Sequence, residues 1–125
     1  MFHFLTAAIL LLWTAAPGLA QIYPAPVERD FIVKNYTFAS GETLPEVKLH
    51  YRTVGEPRKD ADGVVRNGIL IMHGTGGTGR AVVGAGFGGR LFGKGQPYDA
   101  SRYFIIMPDA VGHGDSSKPS DGLRM

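Results

Sequence analysis

Two uninterrupted apolar runs, residues 69–72 (Ile-Leu-Ile-Met) and residues 103–107 (Tyr-Phe-Ile-Ile-Met), set the terms for this chain. Each has the length of a strand and no polar residue to turn toward solvent, the pattern of a strand covered on both faces. The stretch between them, residues 74–95, is dense in glycine and has no helical apolar period. A helix over residues 80–92 would carry Gly84, Gly86, Gly88 and Gly89, each costing about 1 kcal/mol against Ala. Loop with at most a short helical turn is therefore expected. Two such strands joined by a crossover predict a parallel pair.

Upstream the period changes to two. Residues 31–38 alternate β-branched or aromatic with polar side chains and read as a strand. Ser40-Gly41-Glu42 reads as a turn. Residues 47–54, Val-Lys-Leu-His-Tyr-Arg-Thr-Val, alternate again and predict a second, half-buried strand. The two are close enough to pair as an antiparallel hairpin at a sheet edge. Residues 55–63 form a polar loop with Pro57, and residues 109–125 a loop rich in Gly, Ser and Pro. The fold class is α/β, and no internal repeat is visible.

Residues 1–20 contain no Lys, Arg, Asp or Glu, and end Pro17-Gly18-Leu19-Ala20. An apolar stretch closed by small residues is the pattern of a secretory signal, with cleavage expected after Ala20 and a secreted or periplasmic destination. It is short for a span of about 20 residues, so no stable membrane anchor is expected after cleavage. Residues 21–30, with Pro24 and Pro26, read as a leader, and residues 31–125 as one partial domain. The net charge of +2 is scattered, with Arg58-Lys59 beside Asp60 and Asp62, so no basic stripe invites nucleic acid. The chain has no cysteine, which excludes a disulfide framework, a thiol nucleophile and thiolate-ligated zinc.

The first candidate site follows residues 69–72: His73-Gly74-Thr75-Gly76-Gly77-Thr78-Gly79. Glycines after a central strand let the backbone turn sharply and expose N–H groups at the sheet's carboxyl edge, where open α/β sheets bind ligands. One use of such donors is an oxyanion hole. Thr75 N–H is the best candidate, with Gly74 and Gly76 beside it; the alternative is a loop that only turns the chain. His73 reads as a strand-end histidine bonded to backbone. His50 is expected to face out or pair within its strand, and no residue set suggests a metal or other cofactor.

Two matches to G-x-G-x-x-G, at Gly74-Gly76-Gly79 and Gly84-Gly86-Gly89, raise a dinucleotide site, with Asp99 or Asp109 as the ribose-binding acid. The fingerprint requires a helix to open at the glycines. More glycines, then Pro97, argue against one. Gly88 to Lys94 nearly forms a phosphate loop but has Gly95 where Ser or Thr must meet magnesium. Residues 108–120 hold Asp109, His113, Ser116, Ser117 and Ser120. Three triad members rarely reach catalytic geometry from one tight loop, and no G-x-S-x-G surrounds any of these serines. Asp109, Gly112, His113 and Gly114 therefore read as structural loop residues.

The segments Phe38-Ala39-Ser40-Gly41-Glu42-Thr43-Leu44-Pro45, Leu49-His50-Tyr51-Arg52-Thr53-Val54-Gly55, His73-Gly74-Thr75-Gly76-Gly77, Tyr103-Phe104-Ile105-Ile106 with Asp109, Gly112-His113-Gly114, and Ser116-Ser117-Lys118-Pro119-Ser120-Asp121-Gly122-Leu123 follow in order. Together they resemble the opening of α/β-fold hydrolases related to homoserine O-acetyltransferase, over residues 31–125. The resemblance implies the N-terminal part of an α/β-hydrolase sheet, incomplete: an antiparallel hairpin followed by two parallel core strands. It implies covalent catalysis by a serine nucleophile, a histidine base and an orienting aspartate, all three beyond Met125. Only the oxyanion-loop position, Thr75, carries over.

True homoserine acetyltransferases carry bulkier residues after the strand-end histidine than Gly74-Thr75-Gly76-Gly77, and they use acetyl-CoA, a cytosolic metabolite, whereas this chain reads as exported. Hydrolysis of an ester or other small acyl substrate is thus expected, acyl transfer being the alternative. A non-catalytic remnant or interaction module is the alternative of another class. The chain itself is expected to be inactive, with the edge at residues 69–72 and one sheet face left open.

Overall fold

The computed structural model describes residues 22–124; the signal segment and the proposed cleavage point lie outside them. Strand β1, Val27–Thr37, turns at residues 38–42 into β2, Thr43–Val54. The turn is closed by Gly41 N–H donating to Phe38 O and Phe38 N–H to Glu42 O, with Gly41 at φ +100°. Pairing is antiparallel, with Glu28 opposite Arg52, Asp30 opposite His50 and Phe31 opposite Leu49. After a polar loop come β3, Gly68–Leu70, the single turns α1, Gly79–Val82, and α2, Gly88–Leu91, and then β4, Phe104–Pro108. A 3-10 stretch, Pro119–Arg124, ends the described chain and is interrupted at Gly122.

The four strands form one sheet in the order β1-β2-β4-β3. β4 is central, antiparallel to β2 and parallel to β3. The hairpin at one edge and the parallel pair are the expected arrangement. The elements start earlier than their alternation suggests: β1 begins at Val27 and β2 at Thr43. The stretch read as a leader is partly inside the fold, because Tyr23 is buried against Phe92 and its hydroxyl donates to Val83 O.

The two faces of the sheet are unlike. One carries Val54, Ile105 and Met107, which pack with Val82, Phe92 and Ala100 from the crossover segment. The other carries Phe31, Leu49, Tyr51, Leu70, Phe104 and Ile106 around an open apolar groove. Leu70 is 63% and Met72 54% exposed. The both-faces-covered pattern of the apolar runs is met on one face only, by a single layer of glycine-rich turns, and the other face is open, as expected for an incomplete sheet. These turns lie close because Gly79 and Gly88 have no side chain. A Cβ on Gly79 would stand 2.5 Å from Met107 O, and one on Gly88 2.9 Å from the Tyr23 hydroxyl.

Candidate functional site

Both parallel strands end at the same edge, and their following loops lock together there. After β3, Gly77 N–H donates to Gly74 O, and Gly76 sits at φ +72°. This is a turn of type II, with Thr75 in the second position. The N–H groups of Gly74, Thr75 and Gly76 have no acceptor among the described residues, whereas those of Gly77 and Gly79 are both used. An open cleft of about 350 Å³ borders the turn, lined by Met72, His73, Thr75, Ala81, Val82 and Phe87 among others. All three oxyanion candidates thus lie at one exposed turn beside a mainly apolar hollow.

His73 braces this turn. Its Nε2 accepts Ala110 N–H at 3.0 Å, so the ring proton is on Nδ1, which donates to Gly74 O at 2.8 Å. The His113 ring lies 5.1 Å away, and its Nδ1 is buried without a hydrogen-bond partner among the described residues.

The loop after β4 is built around Asp109, which is fully buried. Its Oδ1 accepts Gly79 N–H at 2.6 Å and Arg52 Nη1–H at 3.1 Å, and its Oδ2 accepts Asp115 N–H at 3.0 Å. Burial acts to raise the Asp109 pKa. The Asp115 and Gly79 N–H donors, then the Arg52 charge and His50, outweigh it and hold the carboxyl below the ordinary aspartate value. Gly112, at φ +90°, donates to Ser117 O, and Gly114, at φ +52°, passes directly over the carboxylate.

The same loop extends the β2 ladder after β4 has turned away. Asp109 N–H donates to His50 O and Ser117 N–H to Lys48 O. His50 N–H donates to Ser116 Oγ and Lys48 N–H to Ser117 Oγ, both at 2.9 Å. Ser116 Oγ also donates to Asp109 O. Asp109, His113 and Ser116 therefore form no catalytic relay: the carboxylate serves Arg52 and backbone, and the hydroxyl serves backbone alone. Among the described residues no serine hydroxyl bonds a histidine ring.

Arg52 is the residue that sequence reasoning missed. It is 1% exposed, bonded through Nε to Glu28 at 2.8 Å as well as to Asp109, with Asp115 Oδ2 at 3.7 Å. His50 does not face out or pair within its own strand: its Nδ1 meets Asp30 Oδ1 across the hairpin at 2.7 Å. Glu28 stands directly opposite Arg52 as an opposite-charge cross-strand pair, and Asp30 directly opposite His50 as a hydrogen-bonded one. Carrying the hairpin register back to Val27 would have exposed that signal. Ligand atoms of His50, Asp109 and Asp115 all lie within 4.8 Å of one another. The Arg52 guanidinium already supplies the positive charge there, so the group is an ion-pair cluster.

The dinucleotide alternative finds no geometry. Neither fingerprint opens more than a four-residue helix. Asp99 spends its carboxylate on its own loop: the Ser101 hydroxyl first, then Gly95 N–H and Ser101 N–H, hold it below the ordinary aspartate value.

No protein-family model matches the chain. It is 35% identical over 86 residues to homoserine O-acetyltransferase of Leifsonia xyli subsp. xyli (strain CTCB07), a match covering 62% of this chain and 20% of that protein. Homoserine O-acetyltransferase of Bacillus anthracis superposes with a TM-score of 0.53 and 29% identity, covering 69% of this chain and 24% of the other. The chain is related to the homoserine O-acetyltransferases. An acetylester hydrolase of Corynebacterium glutamicum superposes with a TM-score of 0.59 and 25% identity, covering 74% of this chain and 24% of the other.

This homoserine O-acetyltransferase relative thus has the N-terminal, incomplete part of an α/β-hydrolase sheet, in a family of acyltransferases and hydrolases. It spans roughly a fifth to a quarter of the length of the proteins it matches.

Proposed function

We propose that the chain is the oxyanion-loop portion of a secreted serine-type α/β-hydrolase that cleaves an ester or other small acyl compound through an acyl-enzyme. The observation that carries the reading is the trio of uncommitted N–H groups at Gly74, Thr75 and Gly76, beside an open cleft at the carboxyl edge of the parallel strands. Donors fixed in that way stabilise negative charge on an acyl carbon's oxygen as it becomes tetrahedral. The nucleophile, base and orienting acid belong to other segments of the full-length protein, because the described serines near the site are engaged with backbone. Export rests on the charge-free, small-residue-closed segment at residues 1–20.

Acyl transfer from acetyl-CoA is the second reading, favoured by the name of the Leifsonia relative. The full-length protein carrying this chain should be assayed with an aryl ester and, separately, with acetyl-CoA plus homoserine. Turnover of the ester is expected; turnover of the second pair alone overturns hydrolysis. N-terminal sequencing of the exported protein should begin at Gln21, and an intact Met1 would remove the secretory assignment.

A further inference from the structure

The carboxylate of Asp109 touches both loops of the edge at once, and the fold makes room for it on two sides. It accepts Gly79 N–H at the end of the 74–79 turn and Asp115 N–H in the following loop, while Arg52 neutralises it from beneath. A Cβ on Gly79 would come within 3.2 Å of its Oδ1, and one on Gly114 within 2.1 Å of its Oδ2. Fully buried carboxylates are costly unless paired and hydrogen-bonded, and this one has both. The bond to Gly79 holds the end of the turn, and His73 holds its start through Gly74 O and Ala110 N–H.

We propose that Asp109, held by Arg52, is the positioning residue that sets the direction of the Gly74, Thr75 and Gly76 N–H groups for the reaction. The inference rests on the oxyanion reading given above. Asp109 touches no substrate; it acts by fixing Gly79, whose displacement rotates the turn that precedes it. A misplacement of about 1 Å in such a constellation costs roughly 100-fold in rate. Donors that matter only in the transition state change kcat and leave KM nearly alone.

The experiment uses the full-length enzyme, with kcat expressed per active site titrated by an activated ester, so that misfolded protein does not count. Thr75→Pro deletes one donor, and proline suits the second position of a type II turn. Its kcat should fall roughly 100-fold. Asp109→Asn should lower kcat per site by roughly 10- to 100-fold with KM within about twofold. Should that variant fail to accumulate, Arg52→Lys keeps the charge but loses the planar fork, and a kcat loss of roughly 3- to 10-fold is expected. An unchanged kcat in Thr75→Pro overturns the oxyanion reading and the positioning role together. A loss in Thr75→Pro with unchanged kcat per site in Asp109→Asn or Arg52→Lys overturns the positioning role alone.

Discussion

Tyr23 meets Phe92 edge to face, ring centres 5.3 Å apart, and its hydroxyl donates to Val83 O. Residues ahead of β1 are thereby fastened to the crossover turns that cover the sheet. Phe92 is fully buried, so Phe92→Ala should cost about 3–5 kcal/mol, while Tyr23→Phe, which removes only the hydroxyl, should cost about 1 kcal/mol. Urea unfolding midpoints check both; equal midpoints for the two variants would contradict this packing.

Glycine matters differently at two positive-φ positions. Gly114→Ala meets both backbone strain at φ +52° and the Asp109 carboxylate, whereas Gly63→Ala, at φ +79°, meets no atom within 4 Å. Gly63→Ala should therefore cost only the left-handed penalty of about 1–2 kcal/mol. Gly114→Ala should cost several kcal/mol, roughly 3 or more, because steric displacement of a buried ion pair is added. Thermal melts of the two variants, compared with the parent, give the ordering.

Asp109 also predicts acid sensitivity. Its folded pKa lies below the ordinary value, so its stabilisation is complete above the unfolded aspartate pKa of about 3.9 and is lost as pH falls through the folded value. The stability gap between the parent and Asp109→Asn should be constant from pH 7 to about pH 5 and shrink below about pH 4. Denaturant titrations at a series of pH values measure it. A gap that widens on acidification would reverse the assigned sign.

The open face should govern association more than folding. Leu70→Ser changes a side chain 63% exposed and should shift stability by no more than about 0.5 kcal/mol, while light scattering at equal concentration falls. Ile105→Ala, on the covered face, should cost about 2–5 kcal/mol and leave the exposed patch intact. Scattering unaltered by Leu70→Ser would place self-association elsewhere.

The hairpin, its turn at Gly41 and the parallel pairing of β3 with β4 were legible because alternation, turn chemistry and crossover rules are local signals. The burial of Arg52 was not. Alternation groups Lys48, His50 and Arg52 on one face and Leu49 and Tyr51 on the other, and polar faces ordinarily turn to water. Here the polar face is the covered one, because the loop from Asp109 to Ser117 folds back across it and brings its own carboxylates and hydroxyls. That choice depends on residues more than fifty positions apart, as with Arg52 and Asp109, and no periodicity within β2 encodes it. The position of Thr75 at the strand end was readable from glycine spacing; the clamp that holds its turn was not, because Asp109 and Gly79 meet only after the sheet has formed.

At Ser116 and Ser117 side-chain oxygens serve as rungs for main-chain N–H groups of β2. A hydroxyl on Cβ is a short acceptor arm, and it lets the loop lie close against β2 while still taking up each amide. Replacing either serine with Ala would leave the His50 or Lys48 amide without its acceptor inside the sheet, whereas Val111 and Ser120 stand on the exposed surface and carry no such rung. Here two side chains do the work of a missing strand, and the sheet continues where the backbone ladder has run out.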